Sequence, residues 1–166
     1  MKVLWAPWRM SYVERPAPDE GCIFCTKADL QTREQRRVAL LLYTTEQVSV
    51  LMNRFPYGHA HLMVAPRSHV PDLKTLPRRD AHALSDALQL CLEVLTRAYD
   101  PRGFNVGINL GCAAGAGIAD HLHWHVVPRW EGDTNFMPIL SDVRVMPQHL
   151  MEAYDKLHPL FVREQT

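Results

Sequence analysis

The chain has 166 residues, 47% hydrophobic and 22% charged, which is the balance of one globular domain with its own core rather than of a disordered tail. Eighteen basic and eighteen acidic side chains cancel, so no overall field draws the chain to nucleic acid or anionic lipid, and any anion it binds must be caught locally. Its longest strongly apolar runs, such as Val38 to Tyr43, fall far short of the roughly 20 residues that cross a bilayer, and the first ten residues lack the apolar stretch and cleavage site of a secretory leader. The expectation is a cytoplasmic protein with neither a membrane nor a nucleic-acid partner.

Residues 1–20 mix aromatics with Pro7, Pro16 and Pro18 and read as an irregular arm anchored by Trp5 and Trp8. The four cysteines (Cys22, Cys25, Cys91, Cys112) are too few and too unevenly placed for a disulfide-built fold. In a reducing compartment the close pair Cys22-x-x-Cys25 is a metal or a redox site. A charged, solvated stretch follows (Arg33, Glu34, Arg36, Arg37), then two β-rich runs, Val38 to Tyr43 and Gln47 to Met52, which suggest an antiparallel pair. The Asn, Pro and Gly content of residues 53–58 predicts a turn into a third strand, His61 to Ala65.

From Arg79 to Tyr99 there is no proline or glycine, and Leu84, Leu88, Cys91, Leu95 and Ala98 recur at spacings of three and four, which predicts one long helix. A fourth strand is expected at Phe104 to Leu110 and a fifth at His121 to Pro128. Between them runs the small-residue loop Gly111 to Gly117, and a modest helix from about Pro147 to Leu157 closes the chain. Short connections between most strands imply an α+β domain on an antiparallel sheet of about five strands, with one long helix and a shorter C-terminal one. The single domain, 1–166, divides into an arm (1–20), a core (21–129) and a C-terminal extension (130–166).

The segment His121-Leu122-His123-Trp124-His125-Val126-Val127 carries the most chemistry. In a strand, side chains alternate faces, so three imidazoles share one surface while Leu122, Trp124 and Val126 share the other. Such a row either coordinates a metal or supplies a nucleophile or general base with neighbours that hold its tautomer. Gly111, Gly115 and Gly117 let backbone approach a ligand and offer N–H groups to an anion, which favours phosphate chemistry.

These residues resemble the histidine triad (HIT) superfamily of nucleotidyl hydrolases and transferases. The motif His-φ-His-φ-His-φ-φ, with φ apolar, is filled by Leu122, Trp124, Val126 and Val127. Asn53 and Ala60-His61-Leu62-Met63-Val64 resemble the upstream Asn and Gly-His-φ-φ-φ elements, with Ala60 in place of the usual glycine. The resemblance covers about Cys22 to Arg129 and implies the HIT fold and a homodimer. It also implies that His123 attacks the α-phosphate of a nucleotide to form a nucleotidyl-histidine, with His125 and His61 at the phosphate or leaving group. Asn109 and the amides of Gly111, Gly115 and Gly117 would stabilise the phosphate oxygens, and Asn53 would contact the ribose. Where the family often carries Gln-Ser or Gln-Thr before the triad, this chain has Ala116-Gly117, so phosphate recognition is expected to rely more on main chain.

Members with the N-terminal cysteine pair complete a structural zinc site with a histidine after the third strand and the first triad histidine. The resemblance thereby implies zinc held by Cys22, Cys25, His69 and His121. Trp5-Ala6-Pro7-Trp8-Arg9 and the stretch from Val127-Pro128-Arg129-Trp130 through Gly132-Asp133 to Met137 resemble the branch that includes diadenosine tetraphosphate phosphorylases. That likeness makes dinucleoside polyphosphates the leading substrates and places Trp130 near the nucleotide. The alternatives are an adenosine phosphoramidase on the same scaffold and a zinc-stabilised nucleotide-binding regulator with little turnover.

Overall fold

The computed structural model describes residues 21–133 and 148–163. The arm with Trp5 and Trp8, and the stretch from Thr134 to Met137, lie outside them. The described elements run in the order α1 (Ile23–Ala28), α2 (Arg33–Ala39), β1 (Leu41–Thr44), β2 (Val48–Met52), β3 (Leu62–Pro66), α3 (Arg78–Tyr99), β4 (Gly103–Ile108), β5 (Trp124–Arg129) and α4 (Leu150–Arg163). The strands form one sheet in the order β1-β2-β3-β5-β4, and every neighbouring pair is antiparallel. This is the expected α+β architecture.

Three boundaries differ from expectation, each for a local reason. Val38 and Ala39 do not begin a strand but end α2. The Thr32 hydroxyl accepts from the Gln35 N–H while the Gln35 side chain accepts from the Thr32 N–H, a reciprocal cap that starts a helix in the charged stretch. Leu40, in the left-handed region at φ 61°, then stops that helix, so the first strand begins at Leu41. The fifth strand begins at Trp124 rather than His121, because the Leu122 N–H donates to the Val70 carbonyl (2.7 Å), outside the sheet ladder. The C-terminal helix is displaced to Leu150–Arg163 and accommodates Pro159.

All five residues of β2 and of β3 are buried, so the centre of the sheet is covered on both faces. One face carries Val48, Val50, Met52, Leu62, Val64 and Val126, and packs against Leu84, Ala87, Cys91, Val94 and Leu95 of α3 and Ala153, Tyr154, Leu157 and Phe161 of α4. The opposite face carries Leu41, Leu51, Met63 and Ala65 under Phe24 of α1. His125 pairs with Met63 across β3 and β5, and strand alternation turns it to this second face, where among the described residues the short α1 stands over the sheet. No helix among the described residues is long and apolar enough to cross a membrane.

Candidate active site and metal cluster

His123 and His125 stand side by side, ring centroids 5.0 Å apart and nearly perpendicular. His123 is buried, 6% exposed, and its Nδ1 lies 2.8 Å from the His121 carbonyl oxygen. A carbonyl can only accept, so Nδ1 bears the proton and Nε2 keeps its lone pair. No hydrogen-bond partner occupies that Nε2 among the described residues.

His61 is almost wholly buried at 1% exposure. The Tyr57 backbone N–H donates to its Nδ1 (3.1 Å), and the Asn53 amide nitrogen lies 3.3 Å from the same atom. A backbone N–H can only donate, so His61 Nδ1 is an acceptor and the proton sits on Nε2, which lies 2.9 Å from His125 Nδ1. His125 therefore accepts at Nδ1 and carries its own proton on Nε2, the nitrogen left for a ligand. The Tyr57 ring closes over both histidines, 4.6 Å from His61 and 5.4 Å from His125 between centroids.

Burial, with the neighbouring His123 charge, pushes the His125 imidazole down to about 4. Burial lowers His123 as well, against the opposing hydrogen bond to the His121 carbonyl. The rings are neutral at pH 7, one offering a lone pair and the other an N–H.

Asn53 reaches this cluster differently from expectation: its Oδ1 accepts from the Phe55 N–H (2.9 Å) and its amide nitrogen faces His61. Asn109 follows β4, and Gly111, Gly115 and Gly117 lie in the loop from there to His121, with Gly111 and Gly115 at positive φ (78° and 83°) around a single 3-10 turn, Cys112–Ala114. Trp130 is not brought to the histidines. Its indole N–H donates to the Tyr99 carbonyl at the end of α3, and its ring packs 5.8 Å from His59. The even positions of β5 face α3, which puts Trp130 on the side away from His125.

A second cluster adjoins the first. One donor atom from each of Cys22, Cys25, His69 and His121 lies within 4.8 Å of all the others. His121 Nδ1 is 3.1 Å from Cys22 Sγ, 3.5 Å from Cys25 Sγ and 3.2 Å from His69 Nδ1, and Cys25 Sγ is 3.4 Å from His69 Nδ1. A tetrahedral zinc with sulfur at ~2.3 Å and nitrogen at ~2.0–2.1 Å has edges of about 3.3–3.8 Å, and these separations come within a few tenths of an ångström of that range, so the donor set could hold such an ion. His121 Nε2 is 2.9 Å from the Pro66 carbonyl, which holds its proton there and frees Nδ1 for a metal.

Two residues escaped the sequence reading. Tyr57 looked like a turn residue, and no periodicity marks a ring that covers histidines from another strand. Phe24, inside the Cys-x-x-Cys spacing, packs its ring 5.0 Å from His121 and 4.9 Å from His123. Its place between two metal-type ligands was the available signal.

A row of neutral, hydrogen-bonded imidazoles on an antiparallel α+β sheet is the arrangement of an enzyme. The HIT domain family matches residues 34–132, and the chain belongs to that family of nucleotide hydrolases and transferases, whose members bind nucleotide substrates. It is 37% identical over 154 residues to an AP-4-A phosphorylase of Mycobacterium tuberculosis, covering 90% of this chain and 79% of that protein. It is 28% identical over 121 residues to adenylylsulfatase HINT3 of Arabidopsis thaliana, covering 73% and 58% respectively. Among solved structures, a zinc-bound histidine triad family protein from Mycobacterium smegmatis is similar with a TM-score of 0.66 and 25% identity, over 87% of this chain and 96% of that one.

Proposed function

We propose that the protein cleaves dinucleoside polyphosphates of the diadenosine tetraphosphate type at an α-phosphate, through a nucleotidyl-histidine on His123. The supporting observation is the His123 Nδ1–H donated to the His121 carbonyl at 2.8 Å, which leaves Nε2 unprotonated. That lone pair forms the N–P bond as the bond from phosphorus to the bridging oxygen breaks, and the leaving nucleoside polyphosphate departs with the electron pair. The positive charge that forms on the ring is supported by the same carbonyl. His125 gives a hydrogen bond from Nε2–H to a phosphate or bridging oxygen. His61, with both ring nitrogens engaged inside the protein, acts as the positioning residue for His125. Amides of the loop from Gly111 to Gly117, with Asn109, meet the equatorial oxygens. Phosphate or water then attacks phosphorus and releases His123.

Zinc held by Cys22, Cys25, His69 and His121 belongs to this reading. Four protein donors leave it no open position, so its chemistry is to fix the fold around the site. The free thiols of the pair accord with a reducing, cytoplasmic setting. A homodimer belongs to it as well, supported by the position of β4 at the sheet edge among the described residues, where Val106 is 43% exposed.

The deciding experiment is incubation with diadenosine tetraphosphate, with and without inorganic phosphate. ADP plus ATP, only when phosphate is present, identifies a phosphorylase, and the identity to the M. tuberculosis protein favours this outcome. AMP plus ATP identifies a hydrolase. Turnover of adenosine phosphoramidates alone overturns the substrate assignment, and AMP binding without turnover of any of these compounds overturns the enzymatic one.

A further inference from the structure

His121 does two things at once. Its ring takes part in the metal-type cluster through Nδ1, and its backbone carbonyl is the acceptor that holds the His123 tautomer. Residues 121–123 precede β5, whose ladder pairs start at Trp124 against Val64 and Ile108, so no sheet hydrogen bond fixes that carbonyl. What holds it is the His121 ring, pinned by Pro66 on one nitrogen and by the cluster on the other, together with the Leu122 N–H on the carbonyl of Val70, next to the ligand His69. The same cluster grips the other side of the nucleophile. Phe24, carried between Cys22 and Cys25, is 1% exposed and wedged against both His121 and His123.

We propose that the Cys22, Cys25, His69 and His121 cluster is a positioning device for His123: ligation of His121 Nδ1 and of the two thiolates flanking Phe24 locks the carbonyl and the ring between which the His123 imidazole is held. Loss of the metal then frees His121 to turn, releases Phe24, and lets the His123 proton move to Nε2, which removes the lone pair that a phosphate needs. The consequence for catalysis rests on His123 being the nucleophile; the consequence for the ring does not.

The test uses the full chain with 15N-labelled histidine, in which long-range proton–nitrogen correlations report the protonated nitrogen of each ring. Three preparations are compared: zinc-loaded, chelator-treated with metal loss checked by elemental analysis, and His69→Cys, which keeps four donors. The zinc-loaded protein should show His123 as the single Nδ1–H tautomer. The chelated protein should show a tautomer mixture at His123, strand amide resonances still at their folded positions, and kcat at least about tenfold lower with KM little altered, towards the ~10⁴-fold loss of a catalytic imidazole in the wrong tautomer. Zinc should restore both readouts, and zinc-loaded His69→Cys should keep the single His123 tautomer.

A metal-free protein with His123 still wholly in the Nδ1–H tautomer overturns the proposal. So does simultaneous collapse of the strand amide resonances to unfolded positions, because the metal then holds the whole fold rather than one ring. If the tautomer shifts with zinc while turnover survives in His123→Ala, the coupling stands and the covalent reading fails.

Discussion

His61 Nε2 lies 2.9 Å from His125 Nδ1, and the Tyr57 backbone N–H on the far nitrogen of His61 dictates which of the two rings donates. One main-chain amide in the turn before β3 therefore determines that His125 carries an N–H rather than a lone pair on Nε2. His61→Ala should lower kcat by about 10- to 100-fold with little change in KM. His61→Gln, whose amide can still donate to His125, should recover much of it. Equal losses in the two variants would mean that volume, not the donated hydrogen bond, is what matters.

Replacement of His123 by alanine removes the proposed nucleophile while the surrounding hydrogen bonds of His61 and His125 remain. Turnover should fall by at least about 10⁴-fold, and AMP affinity by calorimetry should stay within a few fold. Substantial turnover in the variant would exclude the covalent route.

Acid should destabilise the fold through the buried imidazoles. His125 in the folded protein sits at about 4, against 6.5 when unperturbed, so between those values the unfolded chain binds more protons. Stability from this group is therefore complete above about pH 6.5 and declines as pH falls towards 4. Burial lowers His59 and His158 as well, and they act in the same direction. Urea midpoints at pH 8, 6.5 and 5 should decrease in that order, and the decrease should shrink in His125→Gln. A flat profile would contradict the buried, neutral state of these rings.

Purified protein should carry one zinc per chain by elemental analysis, and Cys25→Ser should lose it. Melting temperature should fall in the variant and in chelator alike, since a metal bound only by the folded state contributes its binding free energy to stability. Metal-free protein with an unchanged melting temperature would reduce the cluster to packed thiols and imidazoles.

The Tyr154 hydroxyl donates to the Leu41 carbonyl (2.9 Å) and ties α4 to β1 in a fully buried setting. Tyr154→Phe should cost about 1–2 kcal/mol, because the Leu41 carbonyl loses a partner. Specific activity should not change, as the residue lies on the sheet face opposite the histidines. Calorimetric melting and a steady-state assay check the two statements together.

The alternation through Trp124 to Val127 and the three-four stripe of Leu84 to Ala98 were legible because each is a local pattern with one dominant geometric meaning, whereas the pair Cys22-x-x-Cys25 left metal and redox readings open until its partners were placed. The start of the first strand was not legible. Val38 and Ala39 are as apolar as the strand residues beyond them, and the reciprocal cap of Thr32 and Gln35 decided for helix. The place of Trp130 against Tyr99 and His59 was not legible either, because nearness in sequence to the triad says nothing about which sheet face a residue beyond the strand occupies.

The residues by themselves determined the α+β class, the family and the nucleophile candidate, since spacing and residue type are properties of the chain alone. Which nitrogen each imidazole protonates was decided only in three dimensions. The His125 proton is placed by His61, 64 residues away, and the His121 proton by the Pro66 carbonyl, 55 residues away, while the nearer Tyr57 amide and His121 carbonyl set His61 and His123 once the backbone is folded. The same holds for the joining of Cys22, Cys25, His69 and His121, donors up to 99 residues apart that only the packing of α1 against the sheet brings within reach of one ion.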